Sequence, residues 1–164
     1  MACDIFLHRD PDGFHGKELS LHDCTADQIS LEDGTLRFQL PDGLWVTTHH
    51  GDNVCGEVVR TDAAAVEFAV KDPNDITLQV FTRHRCLFFR WTTAESWDMA
   101  RLISAVNNGK YTFEFITQYR SHYEQLWHCA IHSKKKPYYQ ECHLYLPQTQ
   151  ATFYWNTLRP DCPW

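Results

Sequence analysis

Ten histidines and seven cysteines among 164 residues are the side chains of this sequence best able to do chemistry. If the segments around residues 128 and 143 form a hairpin, His128, His132 and His143 share one face, and imidazoles gathered on one face can hold zinc. A fourth ligand is missing and no finger-type spacing occurs, so these three are the metal candidates while no metal and no cofactor is expected. The same hairpin, closed by a loop of two or four residues, would set His128 opposite His143 and Cys129 opposite Cys142. The cysteines (Cys3, Cys24, Cys55, Cys86, Cys129, Cys142 and Cys162) are odd in number and form no C-x-x-C pair, which suits reduced thiols in a reducing compartment. A cysteine nucleophile would need a neighbouring base, and no local signature selects one of the seven.

Two short matches to catalytic motifs lack their context. His8-Arg9-Asp10 has the letters of the kinase catalytic loop, but neither a glycine-rich loop nor D-F-G accompanies it. His22-Asp23 has the letters of paired phosphohydrolase ligands, but it ends an expected strand, whereas such ligands sit on helices. No G-x-S-x-G, H-E-x-x-H, G-x-G-x-x-G or Walker loop is present, so no catalytic residue is assigned and the chain is taken as non-enzymatic.

Charge offers more than motifs do. Residues 1–82 hold 15 acidic and 5 basic side chains, a balance of −10, and residues 83–164 hold 6 and 10, a balance of +4. The aromatic residues divide the other way, 6 against 17. An acidic half steers a basic partner, and Asp23, Asp27, Glu32, Asp33 and Asp42 are the candidate contacts, with Trp97 and Arg101 as a second contact site. Arg83, Arg85 and Arg90 among Phe88, Phe89 and Trp91 have the cations and flat rings that bind single-stranded nucleic acid. Core aromatics beside solvated arginines give the same letters, and the net charge of −6 opposes a phosphate backbone. A third alternative is a small-molecule binder or enzyme with an apolar pocket between helix and sheet, lined by Trp91, Phe113, Phe115 and Trp155.

The elements that must carry these residues are mostly strands. Period-two alternation runs through Leu19 and Leu21, Ile29 and Leu31, Leu36 to Leu40, Leu44 to Thr48, Val54 to Arg60, Ala65 to Val70 and Ile76 to Val80. Turns are expected at Asp10 to Gly13, Asp33-Gly34, Pro41 to Gly43 and Asp72 to Asp75. Cys86 to Trp91 is a denser apolar run expected to be buried on both faces. The alternation resumes through Tyr111, Phe113 and Phe115 and in Leu126 to His132, Tyr139 to Leu146 and Ala151 to Thr157. Between the two series, one amphipathic helix is expected over about residues 93–107. Thr92 and Glu95 would form its capping box, Met99, Leu102, Ile103 and Val106 its apolar stripe, and Asn107 to Gly109 its end. Trp97 and Arg101 fall off that stripe, four apart and able to touch.

At Leu19 to Leu40 the run LSLHDCTADQISLEDGTLRFQL resembles the opening of small bacterial families in which a Leu-His-Asp strand end leads into a hairpin, some of them grouped with toxin-immunity proteins. That resemblance implies a protein-binding module whose acidic surface meets a basic toxin, and it carries no catalytic assignment. The expected architecture is therefore α+β, mostly antiparallel sheet with one helix packed on it. Residues 1–164 form a single domain, with two sheet lobes (about 1–91 and 110–164) joined by the helix as the alternative. No apolar run is long enough to cross a bilayer and Met1 to Asp10 lacks signal-peptide character, so a cytoplasmic location without membrane contact is expected. Oligomeric state is left open, with exposed Trp97 or the segment Asp161 to Trp164 as the places a dimer could use.

Overall fold

The computed structural model describes residues 6–11 and 18–164, so Cys3 and the turn expected at Asp12 and Gly13 lie outside it. Every ladder among the described residues is antiparallel. Strand outweighs helix 58% to 8%, which places the architecture closer to all-β than to the expected α+β.

The strands make three sheets. In the five-stranded sheet the order is β1 (His8–Asp10), β14 (Ala151–Trp155), β8 (Ala64–Ala69), β5 (Thr35–Leu40) and β4 (Gln28–Glu32). The six-stranded sheet runs β10 (Phe89–Trp97), β9 (Thr77–Cys86), β13 (Tyr139–Pro147), β12 (Glu124–Ser133), β11 (Tyr111–Arg120) and β3 (Cys24–Ala26). The four-stranded sheet runs β15 (Leu158–Pro163), β7 (Val59–Thr61), β6 (Trp45–Val46) and β2 (Leu19–Ser20). Sheet membership cuts across the helix: β3, β9 and β10 join β11 to β13, and β14 joins β8, β5 and β4.

Alternation in the strands turns one side chain in two toward a shared core. Phe38 of β5 is wholly buried and meets Phe113 and Phe115 of β11, with ring centroids 5.4 and 5.0 Å away, so the two larger sheets are joined through aromatic contacts. Each such ring contributes roughly 1.5–3 kcal/mol by leaving water. The expected register of the histidine hairpin is present, with His128 opposite His143 and Cys129 opposite Cys142. Asp33 and Gly34, with φ of 49° and 73°, close the β4–β5 hairpin in the left-handed region that a tight two-residue turn demands.

Three expectations are corrected. The helix α1 spans only Met99–Asn107, and its cap is Asp98, whose side chain accepts from the Arg101 N–H at 2.7 Å. Thr92 to Trp97 is strand instead, paired residue for residue with Arg83 to Leu78 of β9, because the Thr- and Trp-containing segment gains a full ladder there. The run from Cys86 to Trp91 is not buried. It bends at Leu87 and Phe88, and both residues are almost fully exposed. Similarly, Val54 is exposed, and of the strand expected over Val54 to Arg60 only Val59 and Arg60 are strand, in the short β7.

Candidate functional site

The five acidic candidates all lie on the surface. Four of them frame the β4–β5 hairpin, Asp27 and Asp42 at one end and Glu32 and Asp33 at the other. Asp27, Glu32, Asp33 and Asp42 form no ion pair among the described residues, whereas Asp23 stands 3.6 Å from His22 Nε2. The hairpin that carries them is rigid. Ile29, Leu36, Phe38 and Leu40 are buried beneath it, and the Asn107 amide grips its outer strand by accepting from Ile29 N–H at 2.8 Å and donating to Ile29 O at 2.9 Å. Beside Asp27 is a shallow hollow of about 170 Å³ with Gln28, Gln39, Leu40, Pro41, Ala63 and Ala64 in its walls. A carboxylate over an apolar floor suits the stem and head of a lysine or arginine.

Trp97 and Arg101 do touch, with the guanidinium carbon 3.9 Å from the ring centroid. Trp97 is only 6% exposed, so the residues this site presents to solvent are Arg101 and its ion-pair partner Glu95.

The four aromatic pocket candidates are divided among three places. Phe113 and Phe115 fill the core, Trp155 lies buried between His8 and His50, and Trp91 stacks on His84 near the end of the β9–β10 hairpin. A separate cleft of about 310 Å³ runs between β2 and β11, lined by Leu19, His22, Ile116, Gln118, Trp127 and Phe153 among others. His22 anchors its rim, its Nδ1 bonded to Ile116 O, its ring stacked on Trp164 and its carbonyl accepting from Trp45 Nε1 at 2.9 Å. The Leu21-His22-Asp23 tripeptide is thus a joint between sheets, with Asp23 N–H donating to Phe115 O.

His128 and His143 meet edge to face, with ring centroids 5.5 Å apart. His132 lies four residues further along the same strand, about 13 Å away at strand rise, and is bonded to Glu114 at 2.6 Å. The three rings therefore share a face without converging on one point. His143 is held below the usual histidine range by burial first and by His128 second. Of the described cysteines, all free thiols, Cys24 is pushed up to about 12 by burial and Cys129 is raised by burial and by Cys142 opposite, the reverse of what a nucleophile needs.

One cluster had no local signal in the sequence. His50, 8% exposed, donates from Nε2 to Asp10 at 3.0 Å and accepts at Nδ1 from Asp52 N–H, while the Asp52 carboxylate meets His8 at 3.1 Å. With Glu18, the carboxylate of Asp10 and the ring of His50 bring three donor atoms within 4.8 Å of one another. The backbone bond to Nδ1 keeps the hydrogen on Nε2, where a metal would need the lone pair, so this arrangement ties β1 to the loop after β6 and is not a ligand set. The partners lie some forty residues apart, and only the folded chain joins them.

On the β9–β10 hairpin the cross-strand pairs sort the side chains by face. Arg85 is opposite Arg90 and Arg83 opposite Thr92, while on the other face His84 is opposite Trp91. Arg83 pairs with Glu141, and Arg85 and Arg90 have no acidic partner among the described residues. No helix of the described chain is long and apolar enough to cross a membrane. The chain matches no family model, no curated protein and no solved structure.

Proposed function

We propose that this chain is a non-enzymatic, protein-binding module of bacterial cytoplasm, of the immunity type, that neutralises or sequesters a basic protein through the acidic rim of the β4–β5 hairpin. The observation that carries this reading is the set of four exposed carboxylates, Asp27, Glu32, Asp33 and Asp42, at the two ends of one hairpin, none of them in an ion pair among the described residues, although Asp42 lies close enough to Arg159 to act on it electrostatically. Exposed carboxylates on a folded hairpin cost little in the free protein and favour fast, charge-steered association. The scattered aromatic candidates and the raised cysteine pKa values give the enzyme alternative no comparable support.

The test uses the whole chain as bait in lysate of its own host at low salt, followed by titration of the purified captured protein against two forms of the bait. The second form carries Asp27→Lys, Glu32→Lys and Asp42→Lys, with Asp33→Asn because asparagine tolerates the positive φ of that turn. A basic partner whose affinity falls both with added salt and with the substitutions is the expected result. An affinity that neither salt nor substitution moves removes the proposal.

A further inference from the structure

The turn of the β9–β10 hairpin lacks the residues that turns favour. Two-residue turns take Asn, Asp or Gly, whose polar or absent side chains also suit an exposed place. Here the turn is Leu87-Phe88 with Phe89 directly behind it, and the three are exposed by 87%, 90% and 72%. They stand at the end of a ribbon, because backbone pairing of β9 with β13 stops at Phe81 while pairing with β10 runs on to Cys86. Three successive apolar side chains at such a place reduce solubility and add nothing to the core. Their surroundings are cationic. Arg85 and Arg90 face each other across the ribbon, two residues behind the turn, and like charges directly opposite repel. The β12–β13 tip lies at the same end of the sheet. Glu141 faces Phe81 and Gln140 bonds to Thr82, so continuing that register sets Tyr138 level with His84. Ser133 N–H donates to Tyr138 O and closes the exposed loop that holds Lys134, Lys135 and Lys136. These five cations enter no ion pair among the described residues. The acidic side chains on the same strands are already engaged, Glu141 by Arg83, Glu114 by His132 and Glu95 by Arg101. This end of the sheet is therefore positive, although the whole chain carries −6.

We infer that this end of the six-stranded sheet docks on an anionic phospholipid bilayer. The Leu87 to Phe89 tip enters the boundary of the acyl chains, and the five cations meet lipid phosphates. The spacing fits. Arg85 and Arg90 stand two residues behind the turn, about 7 Å at strand rise, and the headgroup layer of one leaflet is about 5–7 Å deep. A tip at the hydrocarbon edge thus leaves both guanidiniums among the phosphates, and only side chains, not the backbone of the turn, leave the polar layer. Trp91, Tyr138 and Tyr139, all exposed, stand just behind the same level, where rings with a polar handle favour the interface. Single-stranded nucleic acid, the other polyanion that cations and rings bind, needs a track of open ring faces. Here His84 covers one face of Trp91, Tyr139 meets the ring of His132, and Leu87 has no ring at all, so the apolar groups converge on a point and form no track. The absence of a spanning run concerns crossing a bilayer, whereas resting on its surface takes an apolar tip and charge. This surface is on a different sheet from the acidic hairpin and stands independently of the partner proposed above.

Co-sedimentation of the full chain with vesicles tests it. At low salt the chain is expected to bind vesicles of equal parts phosphatidylglycerol and phosphatidylcholine, to be released as salt rises, and to ignore vesicles of phosphatidylcholine alone. Arg85→Gln with Arg90→Gln is expected to weaken partitioning about fivefold for each charge removed. Leu87→Ser, Phe88→Ser and Phe89→Ser together are expected to weaken it about tenfold or more. The strand signal in circular dichroism is expected to stay unchanged in both variants, since none of the five side chains is buried. A fluorescent label reads depth without relying on a loss of binding. Phe88→Cys, made with Cys3→Ser, Cys55→Ser, Cys86→Ser and Cys162→Ser, leaves Cys24, Cys129 and Cys142 buried and takes a nitrobenzoxadiazole group at the tip. Its emission is expected to shift to the blue on the anionic vesicles, whereas the same label on Val54→Cys, exposed in the segment between β6 and β7, is expected not to move. A wild-type chain that stays in the supernatant with anionic vesicles at low salt overturns the inference. So does undiminished binding by the folded tip variant, equal binding to phosphatidylcholine alone, a bound chain whose tip label does not shift, or a chain that ignores the vesicles and binds a single-stranded oligonucleotide.

Discussion

Arg101 lies flat over the Trp97 ring and reaches Glu95 with both terminal nitrogens, at 2.6 and 3.4 Å, while Trp97 Nε1 donates to the same carboxylate at 3.0 Å. The Arg101 hydrogen bonds, and after them the Trp97 N–H, hold the Glu95 carboxyl below the ordinary glutamate range. The sign follows from linkage. A carboxyl whose pKa is lower folded than unfolded adds stability above the unfolded value, about 4.3, and that stability is lost as pH falls through the folded value. Screening makes the effect small for so exposed a pair. In an NMR titration the Glu95 side chain is expected to protonate at lower pH than an unpaired glutamate, and Arg101→Gln is expected to move the midpoint upward. An unmoved midpoint would mean that the guanidinium is not seated on the ring in solution.

At the scale of elements, Asn107 is the side chain that joins α1 to the edge of the five-stranded sheet. Its amide does for Ile29 what a neighbouring strand would do, accepting from the N–H and donating to the C=O. Asn107→Ala leaves both backbone groups unpaired in a part-buried setting and is expected to cost about 2 kcal/mol in a denaturant titration. Asn107→Asp keeps the acceptor but sets a carboxylate against the Ile29 carbonyl, so no rescue is expected from it. Such a contact shows how far the sequence could be read. The hairpin that pairs His128 with His143 was legible because strict alternation and a short loop leave few registers. The start of the helix was not, because Thr92 and Glu95 have the spacing of a capping box and only the ladder with β9 shows that the segment is strand. The apolar run from Cys86 to Trp91 looked like core for a similar reason, since nothing local tells where a strand outruns its sheet. His50 meeting Asp10, and the Asn107 clamp itself, arise between residues 40 and 78 positions apart, where local pattern is silent.

At the scale of the whole molecule, the buried side chains of the three sheets form one contiguous cluster, from Leu19 and Val46 through Phe38 and Phe68 to Leu144 and Trp155. Gly43 sits where this continuity is most exposed to damage. The chain leaves β5 for β6 at Gly43 with φ of 81°, and a Cβ there would run into the carbonyl oxygens of Thr61 and Asp62. Those oxygens cannot retreat. Thr61 is fixed from both sides, its N–H donating to Leu44 O at 2.9 Å and its hydroxyl accepting from Leu44 N–H at 3.0 Å, and Asp62 N–H is held by Thr157 O at 2.9 Å. Gly43→Ala thus combines a left-handed backbone with an unrelieved clash, and a loss of about 3 kcal/mol or more is expected. Because the junction ties the four-stranded sheet to the five-stranded one and all three share a core, the loss is expected to shift one transition, not to split it. Far-UV circular dichroism follows all the strands, and tryptophan fluorescence sums six residues, with Trp45, Trp127 and Trp155 placing at least one in each sheet. The two denaturation curves are expected to coincide in both proteins and to move together in the variant. A fluorescence transition that separates from the dichroism would mean that the sheets do not unfold together and that the shared core does not couple them.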